Sequence, residues 1–410
     1  MRLLFIYIIL CSVHFFGLHF LLGSYANDLI DFTYFIILGV LLLANYLFSS
    51  KNYKYPKKHR LFIKPIIFLF IALFISAIFG YVFHDQPLYR TILGMRYFSY
   101  FLMFFIFLSF GIKKEHLIKI IITGAFLYII VFTLQLFLYP KQIVPFGPEL
   151  DFDRGFLRIR LEGVGFITLT AFYSLNRFLV TKKSKKYLLL YFICFFYVFI
   201  LGFRTLLVTF VLASALLVIL NNGIRLVKNL KVLIPLSIGI IFLFQLTVVQ
   251  DFLFDAIERT ESQLDMGDEY IRFFTYDFLF NTVNVNYWTL FFGNGFPVEG
   301  SDYGNLVLIK GAKENGLISA DLGLIGFVFN YGILSLLFFL NIFRVAIVKK
   351  VSKDSIYLKV FFIYLIISSI TTAEIFRAGM FGVQMIALYL VTIASFDLKL
   401  KEYNEKHNSV

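Results

Sequence analysis

Long apolar runs separated by short polar breaks dominate the chain. A membrane-spanning helix needs roughly 20 mostly apolar residues, and runs of about that length recur from one end to the other. They predict about twelve spans, near residues 3–22, 29–48, 64–83, 93–112, 118–138, 163–180, 187–203, 205–220, 232–249, 319–342, 356–376 and 379–396. The pattern therefore predicts an all-α, polytopic integral membrane protein in which residues 1–410 form a single membrane domain.

The composition agrees with this class. Hydrophobic residues make up 60% of the chain, charged residues make up 15%, and the mean hydropathy is +0.84. Soluble globular domains carry about 25% charged residues. Because most residues lie in predicted spans, the sequence argues against a membrane anchor that carries a separate soluble enzyme.

Basic residues mark alternate loops. Clusters rich in lysine occupy residues 51–60, 113–119, 181–186, 224–231 and 344–354. The positive-inside rule predicts that these loops and both termini are cytoplasmic. Residues 139–162 then form a smaller outer loop, and residues 250–318 form a large one. The net charge of +13 follows from this topology, so no nucleic-acid partner is predicted.

The type of cation also differs between the two predicted sides. The inner side has 21 Lys and 5 Arg, whereas the outer side has 3 Lys and 9 Arg. Arginine binds phosphate or carboxylate through a planar fork of donors, so the outer bias predicts a site for a diphosphate. Alternatively, single arginines pair with outer acids, as Arg377 and Glu374 could. The nine are Arg90, Arg96, Arg154, Arg158, Arg160, Arg204, Arg259, Arg272 and Arg377.

The two outer loops differ in pattern. The smaller loop has a DFD triplet, Asp151 to Asp153, followed by Arg154, Arg158 and Arg160. Since nucleotide sugars are not supplied outside, we interpret the two aspartates as a solvated turn or as partners of these arginines. The large loop has apolar residues at near-helical spacing and predicts one or two amphipathic helices at the membrane interface.

Common hydrolytic and nucleotide-binding motifs do not occur in the sequence. There is no GxSxG, Walker or HExxH pattern, and the two cysteines and six histidines are scattered. A protease, an ATPase or a metal-dependent hydrolase is therefore not predicted, and neither a metal site nor a cofactor is expected.

Three segments resemble the bacterial O-antigen polymerases and O-antigen ligases. GFRTLLVTFVLA (202–213) is similar to that family's Ser-Arg-Thr-like turn and places Arg204 at the outer membrane face. EYIRFFTYDFLFNTVNVNYWTLFFGNGF (269–296) is similar to its loop arginine, here Arg272, followed by aromatic residues and a Gly-x-Gly. In SADLGLIGFVFNYGILSLL (319–337), Asp321 stands where a ligase has histidine, and Gly332 belongs to the closing aromatic-Gly-Ile triplet.

The resemblance covers nearly the whole chain and implies a reaction. Members of that family transfer a glycan from undecaprenyl diphosphate on the outer face of the bacterial cytoplasmic membrane, without a nucleotide. The resemblance implies that Arg204 and Arg272 stabilise the diphosphate. It implies that Asp321 accepts the proton of the acceptor hydroxyl. Further contacts to the substrate are expected from Arg154, Arg158, Arg160 and Arg259. The expected partners are the lipid-linked oligosaccharide, membrane lipid, and a flippase and chain-length regulator of the same pathway.

Several alternatives remain open from the sequence. The missing histidine favours a polymerase over a ligase. A flippase for the same lipid-linked glycan is a second class, although the chain has no internal repeat of the kind common in transporters. A non-catalytic scaffold would not account for the outer arginines. For Asp321, a role as the N-cap of the following span competes with a role as base.

Overall fold

The structure, a computed structural model, describes residues 2–23, 26–48, 61–144, 159, 161–181, 184–222 and 271–407. Within these ranges the regular elements are helical, and they contain no β-strand. The α-helices of at least six residues in these ranges are α1 (Arg2–Cys11), α2 (Ala26–Phe48), α3 (Ile63–His84), α4 (Leu88–Gly94), α5 (Met103–Phe110), α6 (Lys114–Leu138), α7 (Val164–Thr181), α8 (Lys185–Ile200), α9 (Arg204–Asn222), α10 (Ile271–Asp277), α11 (Tyr287–Phe292), α12 (Leu324–Val348), α13 (Ile356–Ser368) and α14 (Ala378–His407).

Shorter or irregular helices connect several of these elements. Most are 3₁₀ turns at the start or end of an α-helix, which is their usual position. The 3₁₀ segments are His14–Leu22, Arg96–Leu102, Ser319–Leu322, Lys353–Ser355 and Glu374–Phe376, and the π-helical segments are Phe278–Val283 and Asn305–Glu314.

Within the described ranges, six helices are long and apolar enough to cross a membrane: α3, α6, α7, α9, α12 and α14. Two bent pairs raise the number of candidate spans to eight. The first pair joins α1 to His14–Leu22 with a bend of 79°, and the second joins α4 to Arg96–Phe110 with a bend of 60°. The described part of the chain is therefore an all-helical, multi-pass membrane protein with six to eight candidate spans. The predicted span 232–249 lies outside the described residues.

The bundle is organised around two central helices. In α14, 94% of the membrane-spanning window is buried inside the protein, and in α7 the share is 78%. The other four long helices each bury 39%, so they present the remaining apolar surface to lipid. Helix α7 packs against α6, α8, α9, α13 and α14, and α14 also packs against α5.

Helix α1 ends at Cys11, and it is followed by residues with left-handed backbone angles, which we call the break in α1. The φ angles of His14, Phe15, Phe16 and Gly17 are +43°, +51°, +58° and +80°. Each non-glycine residue in this region costs roughly 1–2 kcal/mol relative to a right-handed helix. The surrounding structure holds the break in place, because Phe16 is buried between the rings of Tyr128 and Phe166.

The predicted large outer loop is described only from residue 271 onward. Helix α10 leaves the side chains of Ile271, Phe273 and Phe274 exposed and buries Thr275. Further along the chain Trp288 is also exposed. An exposed apolar and aromatic surface of this kind suits the boundary between lipid and water.

Candidate functional site

Two motifs that the sequence analysis singled out meet inside the bundle. Helix α12 is interrupted at Gly332, where φ is 82° and ψ is 161°. This conformation is essentially restricted to glycine. A Cβ atom on Gly332 would overlap the backbone of residues 291–293, and one on Gly293 would overlap the backbone of Tyr331. The Gly-x-Gly segment and the aromatic-Gly-Ile triplet are therefore in direct backbone contact.

Asn294, between the two glycines of the Gly-x-Gly, connects this contact to α3. Its backbone N–H and its side-chain Nδ2 both donate to the carbonyl oxygen of Phe329, at 3.1 and 3.0 Å. That carbonyl lies next to the interruption of α12, where a regular helical partner is lost. The Asn294 Oδ1 is 2.8 Å from Nε2 of His84, whose ring stacks on Tyr303. The buried amide thus ties α3, α12 and the Gly-x-Gly segment together.

Gln86 holds in place the residues that follow the Gly-x-Gly segment. Its side chain is fully buried between α3 and α4. The amide nitrogen donates to Thr91 Oγ1 and to the carbonyl of Phe296, and the amide oxygen accepts from the Val298 N–H and the Ser301 hydroxyl. The residues after the Gly-x-Gly segment form no regular helix, and these hydrogen bonds attach them to α3 and α4.

Arg272 and Asp321 lie on elements that pack against each other. Arg272 is half-buried in α10, and α10 contacts the 3₁₀ turn Ser319–Leu322. Asp321 is exposed on that turn, and its carboxylate forms no hydrogen bond or ion pair with another described residue. Helix α12 begins after Gly323 without a side-chain cap, so the alternative role of Asp321 as an N-cap is wrong.

Arg204 occupies the first position of α9 and is half-buried. Helix α9 packs mainly against α7, α8 and α13. The helix that bears Arg204 therefore has different main neighbours from α10, which bears Arg272. The remaining predicted substrate-binding residues, Arg154, Arg158, Arg160 and Arg259, lie outside the described residues, as do Asp151 and Asp153.

A chain of alternating charges, which the sequence analysis missed, joins four segments of the protein. Asp31 is buried in α2, and its Oδ2 accepts from Arg96 Nε at 2.5 Å. The other oxygen, Oδ1, is 3.3 Å from His14 Nε2, and His14 Nδ1 is 2.6 Å from Glu162 Oε2. Both ring nitrogens of His14 face carboxylate oxygens, which matches a doubly protonated ring that donates twice. We call Arg96, Asp31, His14 and Glu162 the ion chain.

The middle of the ion chain is buried, and its ends are accessible. The side chains of His14 and Asp31 are 3% and 7% exposed, whereas those of Arg96 and Glu162 are 28% and 34% exposed. Tyr100 donates a further hydrogen bond to Asp31 at 3.3 Å. The ion chain therefore crosses the interior as a row of paired charges, with partly exposed side chains at its two ends.

A second ion pair lies close to Glu162. Arg377 donates to Glu374 at 3.2 Å, as their spacing of three residues predicts. Burial acts to lower the pKa of Arg377, but Glu374, Tyr128 and Glu162 outweigh it, so the pKa lies above its ordinary value. Glu374 Oε1 and the hydroxyl of Tyr128 are buried without a hydrogen-bond partner among the described residues. These atoms can take up water or polar groups of a ligand.

The ion chain had one sequence feature that could have revealed it. Ionisable residues inside apolar spans are rare and mark functional sites more often than not. His14 and Asp31 lie inside two predicted spans, but their partners are distant in sequence, with separations of 65 residues for Arg96–Asp31 and 148 for His14–Glu162.

The described residues contain no group of three or more His, Cys, Asp or Glu side chains that could hold a metal ion.

The charge pattern of the sequence predicts that Arg96, Glu162, Glu374 and Arg377 lie on the outer side of the membrane, as it does for Arg204 and Asp321. A comparison with known protein families and a search of curated protein sequences both gave no match to this chain.

Proposed function

We propose that this protein is a polysaccharide polymerase of the outer face of the bacterial cytoplasmic membrane. It would transfer a glycan chain from undecaprenyl diphosphate to a second lipid-linked repeat unit. The observation that carries the proposal is the packing of α10, which bears Arg272, against the turn that bears Asp321. The interlocking of Gly293 with Gly332 supports it, because the family resemblance rests on these same segments.

The reaction requires charge stabilisation on the donor. The bond between the anomeric carbon and the diphosphate oxygen breaks, and negative charge develops on the diphosphate as it leaves. Guanidinium groups fixed near that position stabilise the transition state more than the ground state. We assign this role to Arg272 and Arg204, with the arginines of the smaller outer loop as further contacts to the substrate.

The acceptor requires loss of a proton. Its sugar hydroxyl attacks the anomeric carbon, forms the new glycosidic bond and releases its proton to a carboxylate. Asp321 is suited to this step, because its exposed carboxylate is not engaged by another described residue. Undecaprenyl diphosphate is the other product, so atoms and charge balance without a nucleotide.

Replacing Asp321 tests this role with little risk to folding. We expect Asp321→Asn to reduce polymer formation about a hundredfold or more, since the amide cannot accept the proton, while protein abundance stays normal. Asp302→Asn is the matched control, because Asp302 is also an exposed aspartate and lies in the predicted large outer loop that precedes Asp321. Polymer yield would be measured on gels of surface glycan, and a normal chain-length distribution in Asp321→Asn would remove Asp321 from the mechanism.

A flippase for the same lipid-linked glycan is the second candidate. The observation that favours it is the presence of two interruptions of helices, one at Gly332 and one at residues 14–17, where His14 belongs to the buried ion chain. Transporters commonly use broken helices and buried ionisable residues to bind and release their substrates.

Deletion of the gene distinguishes the two candidates. Loss of a polymerase should leave single repeat units displayed on the outside of the membrane, because flipping still occurs. Loss of a flippase should trap single units on the inner leaflet and leave none outside. Gel analysis of surface glycan, with accessibility of the lipid-linked unit to an external glycosidase, measures the difference. Trapped inner units would contradict the polymerase assignment.

A further inference from the structure

A groove between α1 and α6 opens at the lysine-rich end of α6. It has a volume of about 440 Å³. One wall consists of Phe5, Ile6 and Ile9 from α1, and Phe16 and Phe166 also line the groove, at what we call its deep end, away from Lys113. Because these walls are apolar, the groove suits a hydrocarbon chain better than a sugar or a peptide backbone.

Helix α6 forms the floor of the groove. Its lining residues follow one another at spacings of three or four residues (116, 120, 123 and 127, or 120, 124 and 127) and therefore share one broad face of the helix: His116, Ile120, Thr123, Gly124 and Leu127. A Cβ atom on Gly124 would meet the ring of Phe166 at 2.6 Å. A larger side chain at this position would displace that ring or fill the deep end of the groove.

Basic residues line the end of the groove near the start of α6. Lys113, His116 and Lys119 all line it, and both lysines are exposed. Among the described residues that line the groove none is acidic, although Glu115 lies on the neighbouring face of the same turn. The first turn of α6 adds the positive end of the helix dipole. An anionic head group is the complement of this rim.

The length of the groove matches one leaflet of a bilayer. From His116 to Leu127 the helix rises 11 residues, or about 16 Å at 1.5 Å per residue. The hydrocarbon core of a bilayer is about 30 Å thick, so one leaflet is about 15 Å. A lipid whose phosphate contacts the rim would therefore place its acyl chain along the whole groove.

We propose that this groove is a binding site for an anionic phospholipid of the leaflet at the lysine-rich end of the bundle. The phosphate contacts Lys113 and Lys119, and one acyl chain lies against Phe5, Ile9 and Phe16. The bound lipid packs α1 against α6. Because Phe16 follows His14 by two residues, the acyl chain also supports the break in α1 that holds His14 between its carboxylates.

The site can be tested with the purified full-length protein in a neutral detergent. Thermal unfolding would be followed while phosphatidylglycerol, or phosphatidylcholine with the same acyl chains, is added. We expect phosphatidylglycerol to raise the unfolding midpoint at lower concentration than phosphatidylcholine. In Lys113→Ala/Lys119→Ala the half-maximal concentration of phosphatidylglycerol should rise about thirty-fold, from two lost lysine contacts.

Matched variants separate this groove from the rest of the surface. Leu127→Trp projects a larger ring into the groove and should abolish the phosphatidylglycerol response. Leu134→Trp, two turns further along the same face of α6 and also exposed, should retain it. Lys64→Ala removes an exposed lysine that does not line the groove and should also retain it.

Three results would overturn the proposal. Equal responses to the two lipids would show that the rim cations do not select an anionic head group. An unchanged response in Lys113→Ala/Lys119→Ala would place the lipid elsewhere, such as in the second basic pocket formed by Arg344, Lys349 and Lys399. The third result combines two observations: the wild type does not respond to lipid, and Leu127→Trp unfolds at a lower temperature than the wild type when no lipid is present. Together they would indicate that another segment of the chain fills the groove.

Discussion

Gly332→Ala should destabilise the protein by more than about 3 kcal/mol. Two effects add at this position. The backbone conformation, with φ of 82° and ψ of 161°, is unfavourable for alanine by roughly 1–3 kcal/mol. The new methyl group would also overlap the backbone of residues 291–293, which cannot move without breaking the hydrogen bonds of Asn294 to Phe329. We therefore expect a much lower thermal unfolding midpoint in detergent and reduced abundance in membranes.

Gly39→Ala is the matched control for this substitution. Gly39 lies within α2, its φ angle is not positive, and no described atom approaches within 4 Å of a Cβ atom built there. Alanine in a helix interior is favoured over glycine by about 1 kcal/mol, so this variant should unfold at the same temperature as the wild type or slightly higher. Equal midpoints for Gly332→Ala and the wild type would show that the contact between α11 and α12 does not hold the bundle together.

Hydropathy alone predicted the long helices well. The predicted spans 64–83, 118–138, 163–180 and 205–220 agree with α3, α6, α7 and α9 to within a few residues. These helices must satisfy their own backbone hydrogen bonds in lipid, so a run of apolar residues of the right length is sufficient to specify them. The multi-pass, all-helical class followed from the same property.

Interruptions of helices were not predicted, because they depend on contacts between distant segments. The predicted span 356–376 ends at Ser368, and residues 369–377 leave the helix to carry the pair Glu374 and Arg377. At the break, the ring of His14 likewise contacts Asp31 and Glu162 from two other segments. Such partners have no fixed spacing in sequence, so periodicity contains no information about them.

The candidate site was predicted in part. The resemblance drew attention to Arg272, Asp321 and the two glycine motifs, and the structure brings their elements into contact. It did not draw attention to Gln86, Asn294 or the ion chain, whose importance lies in buried hydrogen bonds rather than in a motif. Amides and imidazoles gain such roles only when a fold removes them from water, since each unsatisfied polar group then costs about 1–3 kcal/mol.

The ion chain and the α10 region offer different chemistry to the proposed reaction. Arg272 and Asp321 are accessible and can contact a substrate directly. His14 and Asp31 are buried, so their effect on a substrate would be exerted through Glu162 and Arg96 at the accessible ends. If the protein is a polymerase, the ion chain then positions Glu162 and Arg96. If the protein is a flippase, the ion chain would be the part that changes its protonation or its ion pairing during transport.

Asp31→Asn should be among the most destabilising conservative substitutions in this protein. The carboxylate of Asp31 accepts from Arg96, His14 and Tyr100 while its side chain is 7% exposed. The amide keeps the shape but removes the negative charge between two cations. Removing one partner of a buried ion pair typically costs about 3–5 kcal/mol, because the remaining charges stay buried without compensation. Thermal unfolding of the purified variant in detergent would measure the loss.

Asp354→Asn makes the same chemical change in an exposed ion pair. Asp354 lies 3.5 Å from Arg177, and the two side chains are 48% and 32% exposed, so water replaces the lost contact. Exposed pairs contribute about 0–1 kcal/mol, and this variant should unfold close to the wild-type temperature. A double variant, Asp31→Asn with Arg96→Gln, should recover part of the stability lost in Asp31→Asn alone, because it removes the uncompensated guanidinium. If Asp31→Asn is as mild as Asp354→Asn, the ion chain does not stabilise the break in α1, and that break must be held by the packing of Phe16 alone.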